Sequence, residues 1–106
     1  MSWVLLVLAG LFEVGFTTCM KLSDGFKDWR YGLGFFVFAS LSFYFLNKAT
    51  QNISLGTAYA VWTGIGAAGT AIIGILSFGD SINTWRIFFL STLILSVIGL
   101  KFLGGE

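Results

Sequence analysis

Charged side chains are so sparse in this chain, and so placed, that they leave four long apolar stretches separated by short polar ones. A helix needs about 20 mostly apolar residues to cross about 30 Å of hydrocarbon, and each stretch comes near that length. The first runs from Trp3 to Met20 and is closed by Lys21; the second, dense in phenylalanine, runs from Tyr31 to Leu46 and stops at Asn47-Lys48. Leu55 to Phe78 contains no charged residue, and Ile82 to Leu103 carries only Arg86 and Lys101, whose stems can reach opposite interfaces. Leu22 to Arg30, with its Asp24-Gly25 turn signal, Thr50 to Ser54 and Gly79-Asp80-Ser81 are the connections. The pattern predicts an all-α membrane protein of four transmembrane helices, spanning 3–20, 31–46, 55–78 and 82–103 of a single domain, 1–106.

Composition points the same way. Charge is 10% and hydrophobic content 57% over 106 residues, where a soluble domain devotes about a quarter of its residues to charge. So small a globule has too little interior to hide that much apolar surface. The opening Ser2 to Leu11 has no basic residue before it and no cleavage-type motif after it, so it is read as a retained helix. Six scattered basic residues and a net charge of +1 exclude a nucleic-acid partner. The chain has no histidine, no zinc-ligand spacing and no glycine-rich phosphate loop, so neither a metal, a cofactor nor an enzymatic reaction is expected. Its single cysteine, Cys19, is expected to behave as a small hydrophobe. Trp3, Trp29 and Trp85 fall near helix ends, where indole rings favour the headgroup region.

Four spans put both termini on one side. That side and the second loop hold Lys48 and Lys101, against Lys21, Lys27, Arg30 and Arg86 opposite. This small bias, narrowed further by the α-amino group, permits insertion both ways. Four helices enclose little room for a polar pathway, so oligomerisation is expected. Gly66, Thr70 and Gly74 form a small-residue stripe on the third helix, and Ser96 with Gly99 a small surface on the fourth.

Glu13 is the one carboxylate inside the spans. A charge there costs at least about 2.5 kcal/mol if it faces lipid, so it marks a functional site by default. Its neighbours one turn away, Ala9, Gly10, Phe16 and Thr17, suit a cavity wall better than a lipid-facing surface. Burial disfavours the charged form of a carboxyl group, which makes Glu13 a candidate proton carrier; the alternative is a permanently protonated, structural hydrogen-bond donor. On the third helix Tyr59, Trp62 and Thr63 share one face and offer π surfaces to a cation, or else belong to the interfacial belt. Ser42 has two readings, a hydrogen bond that orients the carboxylate or one to its own backbone.

The stretch Gly10-Leu-Phe-Glu13-Val, Lys21, Ser42-Phe-Tyr, the run from Gly56 through Tyr59, Trp62 and Gly64 to Gly66, and Ile98-Gly-Leu-Lys101 closely resemble the small multidrug resistance transporters over essentially the whole chain. The resemblance implies four-helix protomers that pair as an antiparallel, dual-topology homodimer in the cytoplasmic membrane and export organic cations in exchange for protons. It also implies roles: Glu13 as the shared proton and substrate site, Tyr59 and Trp62 lining the pocket with Phe16 and Thr63 nearby, Ser42 bonded to the carboxylate, and Gly64 and Gly66 letting the third helix bend.

Signatures of two branches are mixed. Guanidinium exporters usually have Trp where this chain has Phe16, and they share its Trp62-Thr-Gly-Ile-Gly and Gly-Leu-Lys101 features; quaternary-ammonium exporters share a run like Thr17-Thr-Cys-Met-Lys21. Phe16 lacks the indole donor, so the expected cargo is a broader set of small or lipophilic organic cations, quaternary ammonium or substituted guanidinium, with selective guanidinium export as the alternative. The competing classes are a non-transporting membrane subunit, and an obligate heterodimer with a paralogue, which predicts a stronger charge bias than two against four.

Overall fold

The computed structural model describes residues 2–104; residues 1, 105 and 106 of the expected domain, and the α-amino group counted above, lie outside the described residues. Among the described residues the chain forms α1 (Ser2–Leu22), α2 (Trp29–Ala49), α3 (Leu55–Ser77) and α4 (Thr84–Gly104), with no strand. A helix of 21 residues, the length of α1, α2 and α4, is about 31 Å long. All four are long and apolar enough to cross a membrane.

The helix ends are set by side chains that the hydropathy pattern does not weigh. The Asp28 carboxylate accepts the Arg30 N–H at 3.1 Å, so α2 starts at Trp29, two residues before the expected Tyr31. The Asn83 side-chain oxygen accepts the Arg86 N–H at 2.8 Å and starts α4 at Thr84 rather than at Ile82. Helix α2 also continues past the expected Leu46 to Ala49, where the Thr50 hydroxyl donates to the Asn47 carbonyl at 2.7 Å. Between α1 and α2 the chain turns through Asp24, Gly25 and Phe26, all left-handed, over a buried Ser23 whose hydroxyl donates to Met20 O and accepts from Phe26 N.

Helix α1 lies between α2 and α3, and α4 packs chiefly against α3. The molecule measures 42 × 35 × 17 Å. Its thickness is under two helix diameters, so the four helices spread as a slab instead of closing into a bundle. Over residues 84–103, where burial is described, no α4 residue is buried.

Water cannot drive helices together inside lipid, so contact depends on close approach and polar pairing. Glycines supply the approach: Gly10 receives the Ile65 side chain, Gly69 receives Val14 and Gly64 receives Val97. Aromatic rings fill the α1–α2 seam, where Phe12 stacks on Phe45 at 5.6 Å and meets Phe38 at 6.0 Å. The buried core, at the termini end, joins Trp3, Leu6 and Ala9 to Ile53, Ala58, Val61 and Trp62. Trp3 departs from the headgroup expectation: it is only 9% exposed, while Trp29 and Trp85 stand out from the surface.

Because a Cβ at Gly64 would overlap Val97, we expect Gly64→Ala to weaken α3–α4 packing by about 1–3 kcal/mol. Trimming the partner with Val97→Ala should restore most of the loss. Gly56 has open space around it, and Gly56→Ala should be neutral or stabilise by about 0.5–1 kcal/mol. Thermal unfolding of the three proteins in one detergent checks this.

Candidate functional site

Glu13 lies on the α1 face turned toward α3 and is half-buried. Its carboxyl group sits directly over Gly66, so closely that any Cβ there would overlap the carboxyl carbon and both oxygens. Gly66 is therefore the seat of the carboxyl group. Oε1 is buried and has no hydrogen-bond partner among the described residues. A buried polar atom left unpaired carries a desolvation penalty of about 1–3 kcal/mol, more when charged, which either a proton or a cation relieves.

Two polar connections bracket this carboxyl group. On the side of the termini, the Ser42 hydroxyl donates to Ala9 O at 2.7 Å and accepts the Trp62 indole N–H at 2.9 Å, all of it buried. Ala9 O is also the carbonyl to which the helical Glu13 N–H points, so this hub pins the turn that carries Glu13 to both α2 and α3. On the other side, Thr17 and Thr70 join α1 to α3 through hydroxyls 2.7 Å apart. Thr17 Oγ1 lies 3.1 Å from Glu13 O and 3.0 Å from Val14 O, two backbone acceptors for its proton; with the proton on that backbone, Thr70 is the donor of the pair.

This placement corrects one expected contact. Ser42 bonds neither the carboxylate nor its own helix; its single proton is spent on Ala9 O. The Trp62 N–H is likewise engaged and its side chain only 7% exposed, so indole packing rather than indole donation faces the site. Tyr59 is 57% exposed and lies against Trp62 at 5.7 Å, while the Thr63 hydroxyl is bound to Tyr59 O of its own helix. Phe16 continues the aromatic lining, edge-on to Phe35 at 5.6 Å and 6.2 Å from Phe43, which in turn lies 5.5 Å from Trp62. Helix α3 runs unbroken through Gly64 and Gly66, and what the structure displays for both glycines is close approach, to Val97 and to Glu13.

Two participants escaped sequence reasoning. Thr70 was legible only as a small residue in a stripe, yet its pairing with Thr17 follows from stacking that stripe on α1. The Ala9 carbonyl has no sequence signal, since any residue there has one. Ser42→Ala would strand the buried Trp62 N–H, and we expect a loss of about 1–3 kcal/mol. Adding Trp62→Phe removes the stranded donor, so the double variant should lose less than the sum of the singles in thermal unfolding.

The comparisons with known proteins extend over this whole arrangement. Residues 1–94 match the family described as Small Multidrug Resistance protein. The chain is 44% identical over 101 residues to a protein of Yersinia pestis named Guanidinium exporter, covering 95% of this chain and 97% of that one. It is 43% identical to a Guanidinium exporter of Escherichia coli strain K12, covering 95% and 96% of the two chains, and 41% identical to one of Proteus vulgaris, covering 95% and 97%. These relatives carry the name of an exporter and not of an enzyme.

Proposed function

Since the chain belongs to the small multidrug resistance family, we propose that it is a guanidinium exporter driven by proton exchange at Glu13, its four helices acting as one domain in the cytoplasmic membrane. The observation that carries this reading is the buried Glu13 Oε1, which has no donor among the described residues. Guanidinium is planar, weakly hydrated and presents paired N–H groups that match a carboxylate in two parallel bonds. A quaternary ammonium ion has no N–H to give and would leave the oxygen unpaired. The relatives named Guanidinium exporter favour the same cargo over the broader set expected from Phe16. Phe16 packs edge-on to Phe35, so the site rests its donor chemistry on the cargo and not on an indole at that position.

In this mechanism the carboxyl group holds either a proton or a cation. A buried carboxylate without a counter-charge is unfavourable, so release of one ligand is coupled to arrival of the other. Phe16, Phe43 and Trp62 bring apolar rings together on this side of the protein, with Phe43 still 53% exposed; covered by lipid or by a second copy they would lower the local dielectric, which strengthens both alternatives. Movement across the membrane then requires a second copy. The unburied α4, with Ser96 and Gly99, and the exposed Tyr59 ring are the surfaces that copy would cover. An antiparallel homodimer is in keeping with the weak charge bias, whereas an obligate heterodimer with a paralogue predicts a stronger one. Interchange of two unlike protomer conformations would move the site between sides, as in inverted-repeat carriers, with Gly64 and Gly66 as the positions where α3 would bend.

The test is a transport comparison in proteoliposomes of guanidinium, a monosubstituted guanidine and a bulky quaternary ammonium ion. Guanidinium should move, with each substituent that removes an N–H reducing the rate. Transport of the quaternary ion with none of guanidinium would overturn the assignment of cargo.

A further inference from the structure

A cavity of about 300 Å³ opens between α1, α3 and the α3–α4 loop, lined by Thr17, Thr18, Lys21, Thr70, Gly74 and Asp80 among others. Thr17 lies one helical turn beyond Glu13, and Thr70 one turn beyond Gly66, where the carboxyl group is seated. The Thr17–Thr70 hydroxyl pair is thus the partition between this cavity and the Glu13 site. At the mouth, Asp80 is held by construction: left-handed Gly79 turns the chain, the Asp80 N–H bonds Gly74 O at 3.0 Å, and its carboxylate is laid over Gly74, where a Cβ would collide with it. The oxygen on Gly74 is Oδ2, which also lies 3.5 Å from Arg86 Nη2, in a pair that is part-exposed on both sides.

The group that occupies Asp80 is itself a guanidinium. We propose that the cavity is an outer cation vestibule in which Asp80 receives the guanidinium cargo, Arg86 being the tethered guanidinium that holds the carboxylate between cargoes and gives it up by exchange. The inference rests on the guanidinium-export reading above. A free guanidinium ion and the Arg86 head group make the same bonds to a carboxylate, so exchange swaps like for like and costs little beyond the tether. Part-exposure keeps the Asp80 pair weak, and Lys21, which lines the same cavity from α1, opposes tight retention of a cation. Favourable entry with easy departure is what a passage toward a deeper site requires.

The two variants that break the pair must act in opposite directions. Asp80→Asn removes the receiving charge and should raise the KM for guanidinium uptake in proteoliposomes by about three- to fivefold, the scale of an exposed ion pair. Arg86→Gln removes the competitor and should lower KM. A merely structural ion pair predicts that both variants shift KM alike, and equal shifts or none would overturn the proposal. A binding measurement keeps it separate from the export reading. The chain has two arginines, and Arg30 is paired at the same 3.5 Å with Asp28, a carboxylate that does not line the cavity as Asp80 does. In Glu13→Gln protein titrated with guanidinium chloride, the Arg86 Nε resonance should shift saturably while Arg30 stays fixed, and Asp80→Asn should abolish the shift. If the wild-type protein moves no guanidinium, the export reading fails while this titration still decides the vestibule; a silent Arg86, or both arginines moving alike, overturns it.

Discussion

Glu13→Gln is expected to abolish guanidinium-driven proton movement in proteoliposomes, leaving no signal above protein-free vesicles. The amide keeps the volume of the side chain over Gly66 but can neither release a proton nor carry the charge that holds a cation. Removing one partner of a buried ion pair costs about 3–5 kcal/mol, which at about 1.4 kcal/mol per tenfold is a hundredfold or more in cation affinity. Glu13→Asp keeps the charge and draws it back from Gly66 by one methylene, so it should retain coupled transport at reduced affinity. Stability should change little in Glu13→Gln, because Oε1 has no donor among the described residues to lose. A folded, inactive protein is the expected outcome.

Gly66→Ala is expected to be the next most damaging single change. A methyl group at 66 would occupy the space of the Glu13 carboxyl group itself. Overpacking costs about 1–3 kcal/mol, and here the strain falls on the group that binds the cargo, so guanidinium KM should rise by about five- to a hundredfold. Gly69→Ala is the comparator, because its methyl group would meet the Val14 side chain one turn away instead of the carboxyl group. Both variants should melt at lower temperature in detergent, and Gly66→Ala alone should carry the large rise in KM. Equal KM effects would mean that Gly66 matters only for α1–α3 packing.

The four spans were legible because charge is so sparse that each interruption marks an end; the ends themselves shifted by two or three residues where Asp28, Asn83 and Thr50 cap helices. Hydropathy cannot weigh a single side-chain hydrogen bond. Glu13 was legible for the same reason as the spans, being the one acid in an apolar run. The partner of Ser42 was not, since a hydroxyl takes the nearest acceptor in three dimensions, and three helices had to be packed before Ala9 O was that acceptor. Trp3 resembles Trp29 and Trp85 in its place near a helix end, yet α1 is the central helix, and its first turns are covered by Ile53 and α3. Asp80 read as a turn residue because its relation to Gly74 and Arg86 depends on the left-handed Gly79.

The stripe of Gly66, Thr70 and Gly74 turned out to have three different occupants: the Glu13 carboxyl group, the Thr17 hydroxyl and the Asp80 carboxylate. Small residues on α3 thus admit polar groups as well as a neighbouring backbone. This links packing to function, because the same absence of side chains that lets α1 and α3 approach also creates the seat for the acid.

The shared use of one carboxyl group by proton and cation is tested most directly by proton release on binding. Guanidinium chloride is added to purified wild-type protein in weakly buffered detergent solution, starting where Glu13 is protonated, and the protons set free are counted against the cation bound. Protons should appear in proportion to bound guanidinium and vanish in Glu13→Gln. Saturable guanidinium binding to the wild-type protein with no proton released at any starting pH would contradict exchange at Glu13.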